Sequence, residues 1–409
     1  MSFFAARLLC KGKNGPLGPK MKKGEESIVD LPPPADGRPD LLVIAGEHSG
    51  DEHAGRMIQD LKLEQPGVKV AALGGRHLES AGAQLLMDLT HSSVVGVFEV
   101  LKSWSFFRQL FKQVMEWIRV HRPRAICLVD YPGLNLRLAQ KLYREGLSKK
   151  GGGDIRLLYY ISPQVWAWKA RRRFDMARWL DSLGVIFPFE VEAFADTNLE
   201  VQFLGHPFLT EGYVNAMHHD PGGPVFLLPG SRRTATARIF PILLKAFEAH
   251  RLEHPEARAV SLYPSGGMRD LLESMIPQGC PIELRPSLEG GSAGSVLTSS
   301  GTMSLACALA GIPGAIAYRA NPLTYILGRS LVEIPFLGIA NLLLRKSMYP
   351  EYIQQAASVP SLAAELDECR GLERVERAGL DAKRLHDLLA GPTGLSLGRW
   401  IAKGISDSG

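Results

Sequence analysis

The stretch Leu41-Leu42-Val43-Ile44-Ala45-Gly46-Glu47-His48-Ser49-Gly50-Asp51 decides the fold. Five apolar residues stop at a glycine, a short polar turn follows, and Ala54, Met57, Ile58 and Leu61 then recur at helical spacing within 51–63. An unbroken apolar pentamer suits a strand covered on both faces, as strands of a parallel sheet are. A strand feeding a helix through such a turn is one βα unit.

The unit recurs outward along the chain. Apolar runs at 68–73, 125–129, 157–161 and 183–187 each end where polar residues or glycine begin. Residues 201–204 end at Gly205-His206-Pro207, and the polar stretch 218–224 reads as a linker. A second series follows at 225–228, 259–263, 282–284, 295–298 and 314–317, with a helix at about 236–250. The pattern predicts an α/β protein of two tandem Rossmann-like parallel-sheet domains facing a cleft, at 39–207 and 208–371, behind a flexible basic leader at 1–38. Helical spacing resumes after Leu362, and helices at about 372–409 are expected to pack back on the first domain. Ligands of such sheets sit beyond the carboxyl ends of the strands.

The 409 residues suit two domains, and 45% hydrophobic with 22% charged residues excludes a disordered chain. The net charge of +5 is matched by the stretch 1–23, which carries six Lys or Arg and no acid. The remainder is nearly neutral, so no nucleic-acid partner is expected. Five scattered Cys without a CxxC pair exclude a disulfide scaffold or zinc module and fit a reducing compartment. No apolar run reaches the roughly 18 residues of a spanning helix.

Four groups of strand-end residues carry candidate chemistry. At the first strand, Gly46, His48 and Ser49 form a turn whose N–H groups suit an anion or sugar hydroxyl. Glu47 there is a candidate base, and Ser49 or Asp51 is a candidate helix cap. The turn is not GxGxxG, and no GxxxxGK[ST] occurs. His48 and His53 do not share a helix face, so no metal is expected. After the run 125–129 stands Asp130, placed to take a proton from a hydroxyl or simply to form a turn. Ser162-Pro163-Gln164-Val165-Trp166-Ala167-Trp168, followed by the basic run 169–173, offers either flat walls near a carbohydrate or phosphate, or a packed aromatic turn. In the second series, Gly230, Ser231 and Arg232 follow one strand and Ser300, Gly301 and Thr302 another. A forked guanidinium and free helix-terminal N–H groups suit a diphosphate.

Taken in order, Ala45-Gly46-Glu47-His48-Ser49-Gly50-Asp51, Gly96-Val97-Phe98-Glu99-Val100-Leu101, Asp130-Tyr131-Pro132, the 162–168 segment, Phe187-Pro188-Phe189-Glu190, Gly205-His206-Pro207, Leu228-Pro229-Gly230-Ser231-Arg232 and Ser300-Gly301-Thr302 resemble the lipid-A-disaccharide synthase family. The resemblance runs from about Asp40 to at least Gln354, and its first and fourth motifs are the most specific. It implies a GT-B inverting glycosyltransferase that needs no cofactor or metal. The implied reaction condenses UDP-2,3-diacylglucosamine with 2,3-diacylglucosamine 1-phosphate (lipid X) to the β-1,6-linked disaccharide 1-phosphate and UDP. It places a catalytic acid at Asp130, a cleft glutamate at Glu47, a nucleotide-site arginine at Arg232 and, in the segment Ala340-Asn341-Leu342-Leu343, a nucleotide-sugar contact at Asn341. It further implies a homodimer, held peripherally at the cytoplasmic face of the inner membrane on its phospholipid surface. Docking is expected through Val97, Phe98, Val100, Leu101, Trp104, Phe106 and Phe107. Three positions depart from the family pattern: Ala306 and Ala235 stand where glutamates are usual, and Gly133 where a second acid is frequent. They leave open a related GT-B enzyme with another nucleotide-sugar donor, or a catalytically silent lipid-binding homologue.

Overall fold

The structure is a computed structural model that describes residues 30–90, 100–210, 212–321, 334–392, 394 and 396–407, without the side chains of 100–105. It divides into two α/β units, Met1–Gly205 with Gly391–Gly409, and His206–Ala390.

The first unit holds β1 (Leu41–Ala45), β2 (Val70–Gly74), β3 (Gln84–Asp88), β4 (Ala125–Val129), β5 (Arg156–Tyr160), β6 (Ser182–Val185) and β7 (Glu200–Phe203). They form one sheet in the order β3-β2-β1-β4-β5-β6-β7, with every neighbouring pair parallel. The strand order reverses between β1 and β4, which is where a doubly wound sheet opens its ligand crevice. Alternate residues of the central strands enter two different cores. Leu42, Ile44, Ile126 and Leu128 meet Leu110, Val114 and Ile118 of the helix Val100–His121. Leu41, Val43, Cys127 and Val129 meet Ala54, Met57, Ile58 and Leu61 of the helix His48–Glu64, together with Trp400, Ile401 and Ile405. The edge strand β3 is half-polar and only partly buried, so it does not read as an apolar run.

The second unit holds β8 (Met217–His219), β9 (Val225–Leu228), β10 (Ala259–Tyr263), β11 (Ile282–Pro286), β12 (Gly291–Ala293), β13 (Ser295–Thr298), β14 (Gly314–Tyr318) and β15 (Glu351–Ile353). The main sheet runs β11-β10-β9-β13-β14-β15, all parallel, and reverses between β9 and β13. The expected linker at 218–224 is partly structured: β8 pairs with β12 in a small second sheet.

The C-terminal crossing is later than the pattern at 372 suggests. The helix Leu372–Leu389 groups with the second unit, because Arg374 is buried there and donates to the Gly314 carbonyl at 2.8 Å and to Glu365 at 2.9 Å. The helix Leu397–Ser406 groups with the first unit. Its Trp400 is buried and donates Nε1–H to Ser182 Oγ at 2.9 Å. A Cβ at Gly404 would lie 2.4 Å from Leu158 Cδ1, so any larger residue there would push the Leu158 side chain aside.

Candidate active site

Ala45 and Val129 are register partners in β1 and β4, so Gly46-Glu47 and Asp130 leave the sheet side by side at its switch point. The backbone there is held against its preference. Asp130 and Tyr131 have φ of +45°, and Ile161, at the end of neighbouring β5, has φ of +65°. Left-handed conformations cost non-glycine residues roughly 1–2 kcal/mol each. They persist because the peptide groups are pinned: Asp130 N–H donates to the Tyr160 carbonyl at 2.9 Å. The Asp130 carbonyl accepts from Asn135 Nδ2 at 2.8 Å and from the Tyr159 hydroxyl at 2.6 Å. Asn135 is fully buried and also donates to the Val129 carbonyl. A Cβ at Gly46 would fall 2.2 Å from Tyr131 Cδ1, so the first motif's glycine makes room for the second motif's strained tyrosine.

Burial, and then the Glu47 charge, push the Asp130 carboxyl up to about 6, while the Tyr131 peptide N–H pulls the other way. A carboxylate poised there is a serviceable base near neutrality. Glu47 is exposed and occupies the N-cap of the helix His48–Glu64 without capping it. Its carboxylate has no hydrogen-bond or ion-pair partner among the described residues. His48 and Ser49 are exposed, and the His48 ring lies 5.6 Å from that of His77. Asp51 is buried and caps the next helix rather than its own, accepting from the N–H groups of Gly75 at 2.7 Å, His77 at 3.0 Å and Leu78 at 3.3 Å.

In the segment after β5, Ser162 is buried with its hydroxyl donated to the Pro163 carbonyl, and Gln164 is exposed. Trp166 is half-buried, edge-on to Phe189 at 5.0 Å, and donates to Glu190 Oε1 at 3.3 Å. Burial pushes Glu190 up to about 8 even though the N–H groups of Phe187 and Ile186 and the Trp166 indole favour its ionised form. Trp166 and Phe189 thus pack as an aromatic turn, one of the two readings the segment allows.

In the second unit, Leu228 and Thr298 are register partners, and Ser299 N–H donates to the Leu228 carbonyl at 2.9 Å. Gly230 has φ of +96°, and a Cβ there would lie 2.7 Å from Ser299 Oγ. The loops holding Gly230-Ser231-Arg232 and Ser300-Gly301-Thr302 thus adjoin at the second switch point. Ser231, Arg232, Gly301 and Thr302 are exposed. Arg232 is the N-cap of the helix Arg233–Glu253. Its guanidinium has no hydrogen-bond or ion-pair partner among the described residues. Ser300 Oγ donates to the Leu337 carbonyl at 2.7 Å.

Asn341 departs from its expected role. It is fully buried, and its amide is saturated. Nδ2 donates to the Tyr349 carbonyl and to Glu351, and Oδ1 accepts from the N–H groups of Met348 and Tyr349. Glu351 in turn accepts from the N–H groups of Leu337 and Gly338 at 2.9 Å. The pair orders the segment that receives Ser300, and no group of Asn341 is left for a nucleotide. Ala306 is buried in the helix Thr302–Leu309, and Ala235 is half-buried.

Among the described residues, one group of three side chains is spaced to share a metal ion: His250, His254 and Asp367. His250 lies 17 residues along the helix from Arg233, about 25 Å from the strand ends at 1.5 Å per residue. The cluster therefore lies away from the switch point of its own sheet. Of the expected docking residues, Val97 and Phe98 lie outside the described residues. Val100, Leu101 and Trp104 belong to the helix Val100–His121, but their side chains also lie outside the described residues' side chains. Phe106 packs against the first core and lies edge-on to Phe107 at 5.8 Å. Further along this helix Leu110, Val114, Met115, Trp117 and Ile118 are core residues. Among the described residues no helix is long and apolar enough to cross a membrane.

Known proteins are similar to this chain in sequence and in fold. The family model described as lipid-A-disaccharide synthetase matches residues 41–386. Lipid-A-disaccharide synthase 1 of Legionella pneumophila subsp. pneumophila is 35% identical over 335 residues, covering 77% of this chain and 83% of the relative. Lipid-A-disaccharide synthase of Geobacter sulfurreducens is 33% identical over 362 residues, covering 83% and 91%. Among solved structures, UDP-GlcNAc 2-epimerase from Neisseria meningitidis bound to UDP-GlcNAc superposes with a TM-score of 0.57 at 9% identity, covering 90% of this chain and 99% of that one. The calicheamicin glycosyltransferase CalG4 gives 0.50 at 12%, covering 91% and 98%. The fold is that of GT-B glycosyltransferases and sugar epimerases.

Proposed function

The chain belongs to the lipid-A-disaccharide synthase family, and from that premise we propose that it transfers 2,3-diacylglucosamine from its UDP derivative to the 6-hydroxyl of 2,3-diacylglucosamine 1-phosphate. The observation that carries the reading is the half-buried Asp130 carboxyl, raised to about 6 beside Glu47 at the switch point of the first sheet. The acceptor's 6-hydroxyl gives its proton to Asp130 as its oxygen bonds the donor's anomeric carbon. The bond from that carbon to the diphosphate breaks, UDP leaves with the electron pair, and an α-linked donor becomes a β-1,6-linked product. Asp130 is preferred over Glu47 as base because burial matches its proton affinity to neutral pH, whereas Glu47 is exposed.

The second unit takes the diphosphate. Arg232, unpaired and at a helix N-cap, offers a forked donor, and the exposed Thr302 adds its N–H at the positive end of the helix Thr302–Leu309. Stabilising the charge that gathers on the departing diphosphate lowers the barrier to such a transfer more than any other single effect, and these groups provide that stabilisation without a metal. The buried Ala306 offers the ribose no polar contact, so ribose recognition falls to other groups. The enzyme works as a homodimer, docked on phospholipid at the cytoplasmic face through the 97–107 region.

Incubation of the purified protein with both lipid substrates in detergent tests the reading. One disaccharide 1-phosphate per UDP supports it. Turnover only with another nucleotide sugar, or lipid binding with no turnover, overturns it.

A further inference from the structure

The 169–172 corner has no part in the transfer as described, yet it carries unneutralised charge, and its Arg172 acts on the tyrosine that holds the Asp130 backbone. Val129 and Tyr160 are register partners, so the chain leaving β5 emerges beside Asp130. That chain turns at Lys169, which has φ of +54°. The Lys169 ammonium lies 4.6 Å from the Trp168 ring centre, and the Arg172 guanidinium 5.6 Å from it. The indole thus carries two cations from one turn of chain. Arg173 is neutralised by Asp196 at 2.5 Å. Lys169, Arg171 and Arg172, by contrast, have no carboxylate partner among the described residues, and Asp175 one turn further on pairs with none of them. Arg172 also lies close enough to Tyr159 to act electrostatically on its phenol, and that phenol donates to the Asp130 carbonyl.

We infer that Lys169 and Arg172, braced on Trp168, form a phosphate-monoester site that holds the anomeric phosphate of the acceptor sugar while its 6-hydroxyl meets Asp130. The inference rests on the acceptor named above. A guanidinium fork with an adjacent ammonium suits a dianionic monoester, and the acceptor's phosphate and reacting hydroxyl belong to one pyranose ring. The donor carries no monoester, so the site separates the two substrates by charge as well as by position.

The test compares wild type, K169A/R172A and the charge-conserving K169R/R172K. Acceptors are 2,3-diacylglucosamine 1-phosphate and the same sugar without phosphate, each measured by KM or, if not turned over, by its inhibition constant. In detergent micelles free of anionic lipid, the double alanine variant is expected to weaken the phosphorylated acceptor about tenfold or more. The unphosphorylated sugar and the donor KM should stay within twofold, and K169R/R172K should retain most of the affinity. Equal effects on both acceptors, or no effect, overturn the inference. A defect seen only with phosphatidate-containing vesicles assigns the cations to a lipid headgroup and overturns it too. Wild-type protein that forms no disaccharide refutes the proposed function instead, and the two failures are told apart by that control.

Discussion

Glu47 and Asp130 follow the ends of neighbouring parallel strands, and the exposed carboxylate raises the proton affinity of the half-buried one. Two acids from motifs about 80 residues apart in sequence become one electrostatic unit because β1 and β4 are paired in register at the sheet's switch point.

The pH profile reads this coupling. The base must be ionised, so kcat/KM is expected to fall as pH drops through about 6. Glu47→Gln removes a charge that disfavours ionisation, so the acid limb should move to lower pH. It should stay above the ordinary aspartate range, because burial is the larger cause. A limb that does not move, or that moves upward, contradicts the coupling.

Stability carries the opposite signature. The folded-state affinity of Asp130 for its proton exceeds that of an ordinary aspartate, 3.8, so folding is penalised once pH rises above 3.8 and the penalty is complete above about 6. Asp130→Asn should therefore stabilise the protein at pH 8, by up to about 3 kcal/mol. The gain should vanish at about pH 3 or below. Denaturant unfolding at the two pH values measures it.

Arg232→Ala separates nucleotide binding from folding. The guanidinium touches no partner among the described residues, so the melting temperature should be unchanged. Donor KM should rise about 10–100-fold, the range of a charge-assisted hydrogen bond to phosphate, while acceptor KM holds. Isothermal titration with UDP gives the same comparison without turnover.

Asn341→Ala behaves in the reverse way. Removing a saturated buried amide strands the N–H groups of Met348 and Tyr349. It is expected to cost about 2–4 kcal/mol of stability. The fraction that remains folded should bind UDP with near-normal affinity. Loss of UDP affinity without loss of stability would make Asn341 a ligand contact after all.

The sequence shows the paired sheets because β1, β4, β9 and β13 are buried on both faces and so read as unbroken apolar runs. It hides β3 and β15, whose edge positions leave polar or half-exposed residues in the run. Asp130 is legible as a polar residue directly after an apolar strand. Its supports are not: Asn135 and Tyr159 look like ordinary helix and strand residues, and only the folded chain shows both reaching the Asp130 carbonyl. Glu351 is hidden for the same reason, since its partners at 337–341 are ordered by tertiary contact rather than by spacing. Asn341 stands out in its motif, but the motif alone does not tell a structural amide from a ligand contact. The crossing of the C-terminal helices is misplaced by helical periodicity, which Leu372–Leu389 and Leu397–Ser406 share; burial of Arg374 keeps the first of them on the second unit.

The most direct measurement is single-turnover transfer by Asp130→Asn with donor binding followed in parallel. The neutral amide keeps the shape and cannot accept the hydroxyl proton. The rate is expected to fall by about 10²–10⁴-fold with donor affinity within twofold of wild type. A rate within tenfold of wild type would remove Asp130 from the role of base and contradict the mechanism built on it.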